Sequence, residues 1–434
     1  MMRFLILIFL SLFLLTFNLI YGQDAGYARK VIDTLASPTM EGRGYADRGD
    51  HKAAEYIAGQ FRNTGLEPLY AGYFQEYSFP MNTFPGKVEV VVNNKKLVPA
   101  REFLINASSP GIIGQFRVQS LAGKKIADPE KLKRFIRKNH HGKMVMIDKK
   151  GIEDKKVLFV LDSLKNTNLR NAAGLIFVED KKLTWSVMAG ASLKPFPVVE
   201  IKQECLPRNL RKVKIVIENE FVNNYRTQNV LGFVKGSVQP DTFLVFTAHY
   251  DHLGRMGNEV YFPGANDNAS GTAMLLDLAR HYSMPENKLY YSMAFFALSG
   301  EEAGILGSSY CAEHPPFPLN KIKFLVNLDM VGTGSGGVTM VNATVFRDAY
   351  NRMVKINADN EYIRTVKERG ESCNSDHCPF YKKGVPAVFI YSMGDEFSEY
   401  HNPDDAAEKL PLSEYKDIFR LLSDFMDGFK PNDH

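Results

Sequence analysis

Apolar positions change rhythm three times along the chain. From residue 26 to 66 they fall at helical spacing, with Ala28, Val31, Ile32 and Leu35 on one stripe. Ala53, Ala54, Tyr56, Ile57 and Phe61 form a second stripe that ends at Gly65. The polar, glycine-rich stretch MEGRGYADRG (40–49) separates them and reads as a loop. From about Phe84 the runs become short and β-like: Val88–Val92, Phe116–Val118, Met144–Ile147, Leu175–Val178 and Val213–Ile217. A basic, helix-like segment at Lys131–Lys138 reads as a solvated face, and the following pair His140 and His141 as a surface feature. From about Asn229, nearly continuous apolar runs at Phe243–Ala248, Leu289–Leu298, Lys323–Leu328 and Ala387–Tyr391 alternate with amphipathic segments. Leu275, Leu278, Ala279 and Tyr282 mark a helix between the first two. Unbroken apolar strands suit a sheet covered on both faces, so this part predicts an α/β layered domain.

The first 22 residues stand apart. Arg3 precedes an almost wholly apolar run from Phe4 to Ile20, and Tyr21, Gly22 and Gln23 follow. This predicts a secretory signal peptide over 1–22 and an exported product, periplasmic or extracellular. An uncleaved anchor is the rival, because the run approaches the ~20 residues that span a bilayer. No later run reaches 18 apolar residues, so no stable membrane association is expected after cleavage. Export permits disulfides. Cys373 and Cys378 are close enough to bridge a loop, and buried free thiols fit equally well. A chain 45% hydrophobic and 24% charged is neither disordered nor collagenous. Its net charge of +4 gives no broad basic face for nucleic acid.

Chemistry gathers where the apolar runs end. His249 and Asp251 follow FLVFTA, and Asp267 lies in GANDNASG just ahead of a helix. Glu301 and Glu302 follow the 289–298 run, Asp329 closes the next, and His401 lies in the loop after the last. Ligands of open α/β sheets collect outside the carboxyl ends of strands. Taken singly, Asp267 reads as a helix cap, Glu301 and Glu302 as first-turn acids, and His249 as a core histidine. Jointly, two imidazoles and three carboxylates without a thiolate suit zinc or a similar divalent ion. They exceed one open four-coordinate site and match two ions sharing a carboxylate. Asp251 is placed to accept the second N–H of His249. GTGSGG (332–337) fits a nucleotide-binding spacing, but the alternating VTMVNATVF that follows cannot open the helix such a site needs.

AHYDHLG, GANDNASG, ALSGEEAGILGS, NLDMVG, SDHCPFYKKGVPA and YHNPDDAAEKL resemble the secreted di-zinc aminopeptidases related to bacterial leucyl aminopeptidase and glutamate carboxypeptidase II. The resemblance covers roughly residues 26–83 and 225–415, and GKMVMIDKKG, NAAGLIFVED and FPVVEI are similar to a protease-associated domain. It implies a mixed, mostly parallel sheet sandwiched by helices, of zinc-exopeptidase type, with a β-rich insertion. The implied divisions are 23–85 and 225–434 for the catalytic domain and 86–224 for the insert. Two Zn2+ would be held by His249, Asp267 and Asp329, and by Asp267, Glu302 and His401, with Asp267 bridging. Glu301 would be the general base and Asp251 the outer carboxylate; a cis peptide would follow Asp267. Asn402 stands where the family commonly has Thr. Tyr391 and Tyr400 are both candidates for the oxyanion donor, and His377 for lining the substrate pocket. The expected reaction is removal of N-terminal residues from peptides. Glutaminyl cyclase, a carboxypeptidase for acidic C-terminal residues and a non-catalytic binding protein are the alternatives, and the oligomeric state is left open.

Overall fold

The computed structural model describes residues 25–429, apart from 167, 168, 191 and 208. The expected signal peptide lies outside the described residues. Among them, no helix is long and apolar enough to cross a membrane.

Two sheets organise the chain. The first has nine strands. Its centre is parallel: Gln239–His249 lies between Tyr291–Leu298 and Ile322–Leu328, and Ala387–Met393 adds to the latter. Antiparallel strands flank this centre, Glu220–Val234 on one side and Gly337–Val341 on the other. The sheet is therefore mixed, with helices on its faces. Leu244, Val245, Phe246 and Ala248 are all buried because alternate side chains face opposite, covered sides. The helix Gly271–Ser283 packs Leu275, Leu278, Ala279 and Tyr282 into one core with Ala25–Leu35 and Gly49–Asn63. Each large apolar side chain buried this way contributes about 1.5–3 kcal/mol. Gly337–Val341 is a strand, as the alternation after GTGSGG requires.

The second sheet has eight strands drawn from residues 88–217. It also has a parallel centre, Ile112–Ala122, Lys143–Asp148, Gly174–Glu179 and Val198–Lys202. The helices Pro129–Arg137 and Lys155–Ser163 cover one face through Leu132, Phe135 and Leu161. The other face is covered by the first lobe: Val90, Ile105, Met146 and Ile176 share a core with Leu253, Met256, Phe262 and Ala303. His140, expected at the surface, is buried against the Phe135 ring and donates from Nε2 to the Phe135 carbonyl. Cys373 and Cys378 form a disulfide, while Cys205 and Cys311 are free.

Candidate metal centre

The parallel order of the first sheet carries the ends of four strands to one edge, and the acids and imidazoles meet there. His249 Nε2 lies 3.4 Å from Asp267 Oδ1 and 3.3 Å from Asp329 Oδ1. His401 Nε2 lies 3.0 Å from Asp267 Oδ2 and 3.2 Å from Glu302 Oε2. Asp267 thus turns one oxygen to each group. Donors about 2.0–2.2 Å from a tetrahedral ion are spaced roughly 3.3–3.6 Å apart, so the His249 pairs match the edge of such a site and the His401 pairs fall just inside it. The residues fit a divalent ion in donor type and in spacing.

Charge points the same way. Burial opposes a charge on His401, but Glu302 and Asp267 outweigh it and raise the imidazole to about 11. Burial likewise opposes His249, and Asp329 and Glu301 still push it well above its usual range. Asp267 is raised by burial and carried the other way, well below the carboxylate range, by His249 and His401. The cluster is short of positive charge, and protonated histidines are one supply of it; a bound cation is the other. Glu301 differs from its neighbour. Burial first, then Asp329 and Asp376 against the pull of His249, lift it well above the carboxylate range. A carboxyl so placed can hold a proton near neutral pH.

Supports around the cluster come from distant segments. Asp405 holds the main chain under Asp267, its Oδ2 accepting the Asp267 N–H at 3.1 Å and its Oδ1 the Asn266 N–H at 2.8 Å. The Asp267–Asn268 peptide is cis. Asp267 does not cap the helix after it; Asn268 takes the Gly271 N–H instead. Ser375 donates to Asp329 Oδ2 at 2.8 Å and accepts from Asn327. Asn402 accepts the Asp404 N–H at 2.8 Å and shapes the loop behind His401. The carboxylate of Asp251 is 3.7 Å from His249 Nδ1, beyond hydrogen-bond reach, and the ring donates to the Asp251 main-chain oxygen at 3.2 Å. That carboxylate is drawn away by the Tyr45 hydroxyl at 2.6 Å and by the N–H groups of Glu301 and Glu302.

Of the remaining candidates, Tyr400 stacks on the His401 ring at 3.8 Å. Burial and the facing acids Asp267 and Glu302 push its hydroxyl upward. The Tyr391 hydroxyl accepts from exposed Arg369. His377 is buried, donates from Nε2 to the Ser372 carbonyl at 2.7 Å and is lowered to about 4 by burial.

Three residues of the site stand outside the predicted set. His252 Nδ1 lies 2.7 Å from Glu302 Oε1, and His252, Asp267 and Glu302 form a further compact group. Arg43 is fully buried and donates to the carbonyls of Leu35, Tyr250, Pro263, Gly264 and Asp267. Asp405 is the third. The quoted strings AHYDHLG, MEGRG and HNPDD contain all three, but a lone arginine or second aspartate there carries no ligand signal. The glycines around Arg43 let the chain approach: a Cβ on Gly44 would sit 2.3 Å from the Gly254 Cα.

Residues 229–426 match the model described as Peptidase family M28. Aminopeptidase YwaD of Bacillus subtilis is 29% identical over 268 residues, 57% of this chain and 55% of that protein. A probable leucine aminopeptidase of Arthroderma otae is 26% identical over 195 residues, 43% of this chain and 53% of that protein. The chain spans about half the length of these sequence relatives. In fold it is similar to BSAP, a zinc aminopeptidase from Bacillus subtilis, with a TM-score of 0.67, 20% identity and 93% and 94% of the two chains covered. A Peptidase M28 precursor from Shewanella amazonensis gives 0.67 at 16% identity, covering 93% of each chain.

Proposed function

We propose that the chain is a zinc-dependent aminopeptidase that removes N-terminal residues from peptides outside the cytoplasm. The observation that carries this reading is the shared Asp267, whose two oxygens face His249 and His401 at 3.4 and 3.0 Å. Two zinc ions would be held there, one by His249, Asp267 and Asp329 and the other by Asp267, Glu302 and His401. Bound, such a pair lowers the pKa of water and polarises the scissile carbonyl. Glu301 accepts the proton of the attacking water and returns it to the leaving amine, a task suited to a carboxyl raised by burial. Asp251 holds the Glu301 and Glu302 main chain through their N–H groups. Tyr400 is the better-placed oxyanion donor of the two tyrosines, because its ring stacks on His401 and its hydroxyl faces Asp267 and Glu302. Residues 86–224 act as the protease-associated-like insert that frames the cleft. Residues 1–22 act as the export signal.

The test is a defined peptide pool incubated with zinc-loaded protein and read by mass spectrometry. Loss of single N-terminal residues is the expected product pattern. Loss of C-terminal residues, loss of ammonia or no change would each overturn it.

A further inference from the structure

Between the strands Gly174–Glu179 and Val198–Lys202 the second lobe sends an extended strap across to the first. Its burial alternates: Leu183, Trp185 and Val187 point inward, while Thr184, Ser186 and Met188 are exposed. The inward side chains belong to the core shared by the two lobes. The Trp185 ring stacks on Phe262 at 4.9 Å, and its Nε1–H donates to the Ile105 carbonyl at 2.6 Å. One face of this indole is thus tied to the first lobe and its polar edge to the second sheet.

The main chain of the same residue reaches the cluster. The Trp185 N–H donates to the His401 carbonyl at 2.9 Å, and His401 Nδ1 lies 2.8 Å from the Trp185 carbonyl. A carbonyl only accepts, so Nδ1 carries a hydrogen, and Nε2 is the ring atom turned towards Asp267 and Glu302 and available to a cation bound with them. His401 adopts a φ of 53°, in the left-handed region that is uncommon outside glycine. Four residues further on, the Ala189 N–H donates to the Ala303 carbonyl at 3.1 Å, beside Glu302. Flanking ion pairs, Lys182 with Glu399 and Arg101 with Asp404, tie the His401 loop to the second lobe on both sides.

We propose that the strap 183–189 is a positioning element of the metal centre, with the Trp185 main chain fixing the tautomer and orientation of His401. The proposal rests on the metal reading of the cluster. The second lobe, in this account, sets the affinity of the cation site that His401 and Glu302 share, and leaves the His249–Asp329 site alone. Outer partners of metal-binding histidines are typically worth 10- to 100-fold in affinity. Trp185 is the chain's one tryptophan, so its emission reports on the strap directly.

The experiment titrates Zn2+ into chelator-stripped full-length protein while following tryptophan emission and bound zinc together. The expected result is a saturable emission change that accompanies one of two bound equivalents and disappears in His401→Ala. Trp185→Ala should weaken one equivalent about 10- to 100-fold and leave the other unchanged. Trp185→Phe, which keeps a ring against Phe262, should recover most of that affinity. Should Trp185→Ala fail to fold, the wild-type titration and Trp185→Phe still decide. Two bound ions with flat emission, or two unchanged affinities in a folded Trp185→Ala, would overturn the strap proposal alone. A chain that binds no divalent ion would overturn the metal reading and the strap with it.

Discussion

The two sheets share a parallel centre but treat their acids in opposite ways. In the second sheet, Glu179 and Asp162 meet Lys149, and Glu200 meets Lys165 at 2.5 Å, all partly exposed. In the first, Asp267, Glu302 and Asp329 are withdrawn from solvent, and the cations facing them are imidazoles. Lysine neutralises a surface acid permanently and cheaply. Histidine offers a lone pair, so the same geometry accommodates a metal ion. The lesson is that strand-end carboxylates signal chemistry when burial is deep and the partner can serve as a ligand, and signal only solubility when lysine answers them.

The contrast is broken most severely at Glu301, the buried acid proposed as the general base. Glu301→Gln should keep wild-type zinc content and lose about 10²–10⁴ in kcat, the usual contribution of a positioned general base. Steady-state kinetics paired with metal analysis would check it, and near-normal turnover would remove Glu301 from the mechanism. Next comes the buried cation that serves structure. Arg43 is pulled down to about 10 by burial, against the opposing charges of Asp405 and Asp267, so it stays charged at neutral pH. Arg43→Met strands five carbonyls and should cost about 3–5 kcal/mol in denaturant unfolding, comparable to breaking a buried ion pair.

How much of this was legible follows from where each signal lies. His249, Glu302, Asp329 and His401 follow apolar runs whose parallel order makes their ends converge, and Asp267 lies just ahead of the helix that packs on them. His252, Arg43 and Asp405 act through loop carbonyls, N–H groups and a neighbouring carboxylate, which no periodicity encodes. The Trp185–His401 pair spans 216 residues and exists only because the lobes are packed together. The helix Lys155–Ser163 is hidden for another reason: Phe159 is 76% exposed, so its apolar residues form no single stripe. The parallel centre of the second sheet is hidden with it.

Smaller effects sharpen the comparison at the border between lobes. Arg101 and then Lys409 hold Asp404 at about 2, below its ordinary 3.8. A carboxylate lowered in the folded state stabilises above its unfolded pKa and loses that contribution as pH falls through the folded one. The stability gap between wild type and Arg101→Met should therefore be constant from neutral pH to about 4 and close towards pH 2. A gap that persists at pH 2 would remove the pair from that role. Smallest of all, Lys149→Met in the second lobe should shift stability by less than about 1 kcal/mol and leave zinc content and turnover unchanged.

Zinc stoichiometry measured with and without the charge of Asp267 tests most directly whether that residue joins two cation sites. Wild-type protein dialysed against zinc should retain two ions per chain, and Asp267→Asn should lose both affinities together. Two ions retained with unchanged affinity in Asp267→Asn, or a wild type saturating at a single ion, would contradict it.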